Sequence, residues 1–189
     1  MPRTKRLPLQ SNTTGRAERK SRESKSREPK SGRPQMPKDY GMTDAKNGEG
    51  LLPWSHVGER MEGARNYWIC TTRPDGRPHV MPVWGVWVDD RFYFGTDRRS
   101  RKARNLASNP VMAVHLESGD DVIIVEGPVE EVTDRTVLGQ IDKGYAKKYK
   151  MGLSGHPGDV VIYGLEPRVA FAWREQDFNL SATRWVFDE

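Results

Sequence analysis

Cysteine, histidine and long apolar runs are scarce in this chain of 189 residues. The single cysteine, Cys70, excludes a disulfide within the chain and any zinc site built from several cysteines. The four histidines, at positions 56, 79, 115 and 156, are too scattered to indicate a metal site. No apolar run approaches the roughly 18 residues of a membrane-spanning helix, and the N-terminus lacks the apolar stretch of a secretion signal. These absences predict a soluble, cytoplasmic protein without a membrane partner.

The first 38 residues lack any apolar run that could contribute to a core. They contain 12 Lys or Arg against 3 Glu, so their net charge is +9, whereas residues 39–189 carry −4. Composition therefore predicts that residues 1–48 form a disordered basic N-terminal extension and that residues 49–189 form the folded domain. Such an extension is either simply solvated or makes weak, salt-sensitive contact with nucleic acid or another acidic surface.

Short stretches rich in β-branched and aromatic residues predict most of the remaining structure to be strands. They cover residues 66–73, 79–88, 91–96, 111–116, 121–132, 159–165, 168–175 and 183–188. Turns at residues 74–78 and 89–90 make the first three strands consecutive and antiparallel. Helix signals are fewer: a short amphipathic helix over residues 51–64 with Ser55 as a possible N-cap, a basic helix from Arg101, and one after Asp134. We expect a mainly β (α+β) fold, a small antiparallel barrel with short helices.

The predicted basic helix poses an electrostatic problem. Ser100 is its expected N-cap, and Asn109 with Pro110 ends it. Five cations crowd its start: Arg98, Arg99, Arg101, Lys102 and Arg104. The helix dipole already makes that end positive, so the arrangement is unfavourable without an anion. A phosphate would be bound jointly by backbone N–H groups, the dipole, Arg101 and Lys102; the alternative is a solvated basic turn.

The predicted strand over residues 79–88 is apolar on both faces, so we expect it to be covered on both sides. Pro82 lies within it, where proline cannot donate a hydrogen bond to a neighbouring strand. Either its edge is left open to a flat ligand or a partner chain, or it is an ordinary edge strand that tolerates a proline.

Residues 75–119 resemble the core of the pyridoxamine 5'-phosphate oxidase-like split barrels, which include flavin and deazaflavin oxidoreductases; they read DGRPHVMPVWGVWVDDRFYFGTDRRSRKARNLASNPVMAVHLESG. The resemblance covers roughly residues 50–187. Its most specific element is Ser100-Arg101-Lys102, followed by Asn105-Leu106 and Asn109-Pro110. The resemblance implies a six- to eight-stranded antiparallel split β-barrel and a homodimer that holds each cofactor in a cleft between the subunits.

In that family the Ser-Arg-Lys segment binds the cofactor phosphate, and the preceding strands lay backbone groups along the cofactor ring. The cofactor-binding residues that the resemblance implies here are Val80, Met81, Pro82, Trp84, Gly95, Thr96, Ser100, Arg101, Lys102 and Asn105.

The implied cofactor is the deazaflavin coenzyme F-420, with FMN as the alternative. In pyridoxamine phosphate oxidases, the strand equivalent to residues 79–85 carries an Arg and a Lys that also hold the FMN phosphate, whereas here it reads HVMPVWG. The Arg-Leu-x-Pro-Glu ending of those enzymes is likewise replaced by ATRWVFDE. The chain therefore looks more like the branches that use the deazaflavin.

The implied function is an oxidoreductase that transfers a hydride between the bound cofactor and a small organic substrate. This transfer needs no protein acid or base, so no catalytic residue is assigned, and His79 and Tyr93 are better explained by packing or hydrogen bonding. The alternatives are a protein that binds flavin, deazaflavin or haem without catalysis, and a true FMN-dependent pyridoxamine phosphate oxidase.

In relatives, the region of Trp173, Phe178 and Arg184 reaches the other subunit's cleft.

Overall fold

A computed structural model of the protein describes residues 29–153 and 158–188. Its strands are β1 (Lys30–Gly32), β2 (Tyr67–Thr72), β3 (Pro78–Val83), β4 (Val86–Val88), β5 (Arg91–Asp97), β6 (Val111–His115), β7 (Asp121–Glu131), β8 (Val160–Leu165), β9 (Val169–Arg174) and β10 (Thr183–Val186). Its α-helices are α1 (Trp54–Gly63), α2 (Arg101–Ser108), α3 (Arg135–Tyr149) and α4 (Phe178–Ser181). Within these ranges, no helix combines the length and the apolar content needed to span a bilayer.

All strand pairs are antiparallel and belong to one connected sheet. One path runs in the order β1-β10-β9-β7-β6-β2-β3, and a second runs from β7 through β8 and β5 to β4. The prediction of a mainly antiparallel β fold with a few short helices is confirmed, and the arrangement is consistent with a split-barrel-like fold.

Strand β7 takes part in both paths because it changes partners along its length. Residues 121–126 pair with β9, whereas Val129–Glu131 pair with β8. At the changeover, Pro128 cannot donate a backbone hydrogen bond. A side chain at Gly127 would overlap the carbonyl group of Glu166, so only glycine permits this close approach.

The strand predicted over residues 79–88 is in fact two strands, which corrects the three-strand meander expected from the sequence. Strand β3 ends at Val83 and pairs with β2, whereas β4 begins at Val86 and pairs with β5. The break occurs at Gly85, where a Cβ atom would overlap the Phe92 ring and lie 2.8 Å from the Tyr93 carbonyl oxygen. Close packing of β5 against Gly85 therefore directs the chain from one path of the sheet to the other.

Strand β3 is the terminal strand of its path, as expected from Pro82. The expectation that it is covered on both sides is wrong for the single chain. Val80 is 45% exposed and Met81 41% exposed, because within the described ranges β3 pairs with β2 alone.

The N-termini of the helices show where residue type and position were sufficient to predict the N-cap. Ser100 caps α2, since its hydroxyl accepts a hydrogen bond from the Ala103 N–H, and Asp134 caps α3 in the same way. Helix α1 begins earlier than expected: Pro53, not Ser55, is its N-cap, although its apolar residues Val57 and Met61 are buried as predicted.

The predicted boundary at residue 48 also needs correction for the part that the structure describes. Strand β1 pairs with β10, and Arg33 donates to the carbonyl groups of Thr43, Leu180 and Ala182. These interactions use backbone groups and one side chain, so they require no apolar run. Residues 1–28 lie outside the described residues, and the disorder expected for them stays a prediction.

The core has two parts. The larger is built from aromatic and aliphatic residues of the sheet and α1, including Tyr67, Phe92, Phe94 and Trp185. In the smaller, Ile141 and Tyr145 of α3 pack against the β4–β5 hairpin and β8. Helix α3 is thereby held beside the Gly85 break.

Candidate functional site

A cleft of about 320 Å³ opens where the end of β3, β5, α2 and α3 meet. It is lined by Pro82, Val83, Trp84, Gly95, Thr96, Asp97, Lys102, Tyr145, Leu153 and Val160. Five of these residues, Pro82, Trp84, Gly95, Thr96 and Lys102, were expected from the sequence to contact a cofactor. The volume lies within the range of small-ligand pockets.

Tyr145 fixes the two backbone segments that border the cleft. Its hydroxyl accepts a hydrogen bond from the Gly95 N–H (3.2 Å) and donates one to the Trp84 carbonyl (2.9 Å). Burial raises the pKa of Tyr145, so the hydroxyl remains protonated and able to make both bonds. The sequence indicated a helix after Asp134 but gave no sign of this role for Tyr145.

Tyr149, one helical turn later, fixes the backbone at Gly85, where the chain breaks between β3 and β4. Its hydroxyl accepts from the Gly85 N–H (2.9 Å) and donates to the Arg65 carbonyl (2.7 Å). The Trp84 ring stacks on the Tyr149 ring with centroids 4.5 Å apart, and the Arg65 guanidinium lies 5.8 Å from the Trp84 centroid. Stacking and a cation–π contact therefore hold Trp84 in one orientation beside the cleft.

The cations at the start of α2 divide into two groups. Arg98 is paired with Glu131 (2.6 Å) and Arg99 with Asp97 (2.9 Å), so their charges are compensated. In the described part of the chain, Lys102 has neither a hydrogen-bond acceptor nor an ion-pair partner, and the same is true of the Arg101 and Arg104 side chains.

Lys102 is the cation that faces the cleft. It is half-buried, and burial lowers its pKa. An unpaired ammonium group beside the N-terminus of α2 adds to the positive end of the helix dipole. The arrangement therefore favours an anion at this end of the cleft.

The other predicted cofactor residues take different positions. Asn105 is fully buried, and its amide donates to the Thr71 hydroxyl (2.9 Å), so it ties α2 to β2 instead of lining the cleft. The Ser100 hydroxyl accepts from Thr96 (3.1 Å) as well as from the helix backbone. Arg101 is exposed at the helix start.

Val80 and Met81 lie on the exposed part of β3 and do not line the cleft within one chain. The C-terminal residues Trp173 and Phe178 pack edge to face with each other, with centroids 5.8 Å apart. Contact of these β3 and C-terminal residues with a second subunit stays a prediction.

The histidines of the described chain have separate partners. His56 contacts Asp121 (2.8 Å), His79 lies 3.3 Å from the Thr71 hydroxyl, and His115 contacts the carbonyl of Leu116. The fourth histidine lies outside the described residues. Among those described, no three His, Cys, Asp or Glu side chains form a group that could hold a metal ion.

A larger cavity of about 580 Å³ lies among the β4–β5 turn, α1 and the two ends of the described chain. Its charged residues largely compensate one another: Lys30 pairs with Asp188, and Arg91 pairs with Glu166. Trp54 forms part of its wall and donates to Asp90 (3.0 Å). It contains none of the residues that the sequence indicated for cofactor binding, so size alone does not identify the site.

Comparison with known proteins decides the family. The model of the family described as pyridoxamine 5'-phosphate oxidase matches residues 56–174, which is more than half of the chain. The chain belongs to the pyridoxamine 5'-phosphate oxidase family. The matched range includes β2 to β9, α2 and the whole cleft.

One relative within the family is the pyridoxine/pyridoxamine 5'-phosphate oxidase of Gluconobacter oxydans (strain 621H). It is 38% identical over 90 residues, which cover 46% of this chain and 43% of the relative. The match thus spans less than half of the curated relative's length.

Solved structures show the same fold. A conserved hypothetical protein from Mycobacterium tuberculosis has a TM-score of 0.58 at 22% identity and covers 65% of this chain and 85% of its own. A structure described as an F420 reductase has a TM-score of 0.50 at 27% identity and covers 59% of this chain and 93% of its own. The comparisons thus find a pyridoxine/pyridoxamine 5'-phosphate oxidase among the relatives and an F420 reductase among the structural neighbours of this chain.

Proposed function

We propose that the protein is an oxidoreductase that binds coenzyme F-420, or alternatively FMN, in this cleft and transfers a hydride between it and a small organic substrate. The observation that carries the proposal is Lys102, an unpaired, half-buried cation that lines a cleft of ligand size at a helix N-terminus. Membership of the family and the likeness to the F420 reductase support the chemistry.

The described residues fit a phosphorylated cofactor with a flat ring. Lys102 and the free N–H groups of the first turn of α2 would hold the phosphate. The backbone of residues 82–84 and Gly95 would border the ring, with Trp84 at its side. Tyr145 and Tyr149 hold that backbone in place through their hydroxyl groups.

When bound, the cofactor supplies the hydride chemistry, and the protein contributes position and shielding. Val83, Leu153 and Val160 give the cleft an apolar wall, which limits the access of water. No ionised carboxylate lies free in the cleft: Asp97, its one acidic wall residue among those described, is bound by Arg99, whose hydrogen bonds hold the pKa of Asp97 at about 2.

The preference for the deazaflavin rests on the strand that ends in Trp84. In the described β3, His79 is the single titratable residue, and the strand supplies neither of the basic side chains that the oxidases use for FMN. The phosphate would therefore depend on α2, which agrees with the compact basic motif expected of deazaflavin-binding members.

A homodimer is part of the proposal. Val80, Met81 and Pro82 expose apolar surface along an unpaired strand edge, and Trp84 next to them is 36% exposed. A second copy of the chain would cover this edge and close the cleft beside it. Sedimentation at micromolar concentration should give the mass of two chains, and Met81→Lys should shift it towards one; a monomeric wild-type protein would contradict this part of the proposal.

The direct test of function is an anaerobic titration of the purified protein with coenzyme F-420 and with FMN. We expect saturable binding of at least one of them with a dissociation constant on the order of 1–10 μM. The reduced, bound cofactor should then be reoxidised by some members of a panel of small electrophilic acceptors. Absence of binding by both cofactors at about 100 μM would overturn the proposal.

The same experiment separates the alternatives. Tight binding without reoxidation by any acceptor would favour a cofactor carrier, and a Soret band after incubation with haem would favour a haem-binding protein. The similarity to the Gluconobacter oxidase favours FMN-dependent oxidation of pyridoxamine 5'-phosphate as the second candidate activity. Formation of pyridoxal 5'-phosphate in the presence of FMN and oxygen would establish that activity in place of the reductase.

A further inference from the structure

Arg73 is a further cation whose side chain has no hydrogen-bond partner among the described residues, in addition to those of α2. It follows β2 directly and continues the pairing with β3, since its N–H donates to the Arg77 carbonyl (2.9 Å). Its guanidinium Nε is buried, and in the described part of the chain no acceptor lies within hydrogen-bond distance of it. A buried donor without an acceptor is unfavourable by about 1–3 kcal/mol, so such groups usually have a partner.

The direction of the Arg73 side chain follows from the strand geometry. Residues two apart in a strand share a face, so Arg73 lies on the same face as Thr71. The Thr71 hydroxyl accepts a hydrogen bond from Asn105 in α2 (2.9 Å), which shows that this face of β2 packs against α2. Arg73 and the α2 cations Arg101 and Lys102 therefore lie on the same side of the sheet.

His79 is close enough to both sources of charge to be affected by them. It is directly opposite Thr71 in the β2–β3 register, and its Nδ1 is 3.3 Å from the Thr71 hydroxyl. Burial lowers the pKa of His79, and the nearby charges of Arg73, Lys102 and Arg101 lower it further. Among the described residues, no acidic group offsets the effect of these three charges on the pKa of His79.

We propose that Arg73 is a third cation of the phosphate site, supplied by the β2–β3 hairpin, with His79 beside the bound anion. The proposal rests on the proposed function, because it assumes that the ligand of the cleft carries a phosphate. A guanidinium group binds two phosphate oxygens with parallel hydrogen bonds, which a lysine ammonium does not. Arg73 thereby replaces, from the neighbouring strand, the basic side chains that β3 lacks.

The hairpin offers a matched control. Arg77 has the same charge and lies across from Arg73 in the register, but its guanidinium is already bound to Asp75 (2.7 Å) and exposed. Two ligand pairs test the phosphate contact: FMN with riboflavin, which differ by the phosphate alone, and coenzyme F-420 with its ribityl deazaflavin core, which lacks the phosphate together with the side chain attached to it. The measurement is the ratio of affinities within each pair, read from the fluorescence of the ring.

We expect Arg73→Ala to weaken binding of the phosphorylated ligand by about tenfold, while binding of the phosphate-free ligand changes by less than about twofold. Arg77→Ala should leave both affinities within about twofold of the wild type. Arg73→Gln keeps most of the side-chain length and provides the same comparison if the alanine variant does not fold. Arg73→Lys should recover part of the lost preference.

The outcomes separate the two proposals. A wild-type protein that binds neither ligand pair would overturn the proposed function and this inference with it. A wild-type protein that prefers the phosphorylated ligand, with the same preference in Arg73→Ala and Arg73→Gln, would overturn the role of Arg73 alone. An equal loss of affinity for both members of a pair would show that Arg73 acts on the fold or the ring and would also overturn it.

Discussion

Among single residues, Gly85 sets the geometry of the cleft because the chain changes direction there without room for a side chain. We expect Gly85→Ala to lower the free energy of unfolding by about 2–4 kcal/mol, since its methyl group would overlap the Phe92 ring. Gly139 is the control: nothing lies within 4 Å of a Cβ atom there, so Gly139→Ala in α3 should stabilise by about 0.5–1 kcal/mol. Urea unfolding curves measure both, and equal stability of the two variants would contradict the account.

Asp121 joins α1 to β7 and makes stability depend on pH. Burial raises the pKa of Asp121, but the hydrogen bonds from His56 and Arg60 and the charges of these two residues together lower it by more, so it lies below its usual value. A carboxylate with a lowered pKa stabilises the folded state above about pH 4, and this contribution is lost as the pH falls through the lowered pKa. The ionised form is therefore the one that the fold favours.

Asp121→Asn should lower Tm at pH 7 by roughly 3–8 °C and make the fall of Tm below about pH 4 shallower than in the wild type. Asp120→Asn is the matched control, because the exposed Asp120 side chain has no partner among the described residues. Parallel curves of Tm against pH for Asp121→Asn and the wild type would refute the assignment.

Residue-level reasoning from the sequence worked where the partners are close along the chain. The caps Ser100 and Asp134 bind backbone N–H groups two or three residues away, so their residue type and position were sufficient. Tyr145 was missed as a site residue because its partners, Trp84 and Gly95, are 61 and 50 residues away. The hydrogen bond from Asn105 to Thr71 was missed for the same reason, since Thr71 is 34 residues away in the chain.

At the scale of elements, α3 holds the cleft together through the hydroxyl groups of its tyrosines. Tyr145→Phe leaves the Gly95 N–H and the Trp84 carbonyl without their partner, so we expect Tm to fall by roughly 2–6 °C and cofactor affinity by about three- to tenfold. Tyr40→Phe is the control, because Tyr40 is 54% exposed and lies far from these contacts in the chain. Wild-type affinity and stability in Tyr145→Phe would show that α3 does not position the cleft.

The elements themselves were largely predictable, whereas their partners were not. A run of β-branched and aromatic residues indicated one strand over residues 79–88, and this run continues through the break because β3 and β4 are both extended. Gly85 was the available signal, but its meaning depends on Phe92 and Tyr93, which pack against it from the next strand. The change of partner along β7 was not predictable from the sequence for the same reason, since it depends on the close approach of Glu166 to Gly127.

For the whole molecule, the boundary between the N-terminal extension and the folded domain depends on backbone hydrogen bonds between strands more than on composition. Removing residues 1–28 should change Tm by less than about 2 °C, because β1 and Arg33 remain. Removing residues 1–48 should lower Tm by several degrees, and Arg33→Ala should reproduce part of that loss, since Arg33 donates to carbonyl groups of the C-terminal segment. Equal melting temperatures for the two truncations would show that β1 contributes nothing.

The overall fold class and the position of the basic motif were accessible from the sequence, because the residues of that motif are local to the start of α2; that this motif holds a phosphate stays a prediction. The N-terminal strand was not, since Lys30–Gly32 pairs through its backbone and its residue types resemble the rest of the extension. Arg73 was not recognised either, because its nearness to α2 depends on the pairing of β2 with β3 and on the packing of α2 against β2.

The most direct test of the central claim, that the start of α2 holds the phosphate of a flavin-type cofactor, is the affinity of Lys102→Ala for coenzyme F-420 and for FMN. The loss of one charge-assisted contact should weaken binding by roughly ten- to a hundredfold. The cofactor-free variant should melt at or slightly above the wild-type temperature, because a positive charge is removed from a helix N-terminus. Unchanged affinity for both cofactors, in a variant that remains folded, would contradict the assignment of this cleft as the cofactor site.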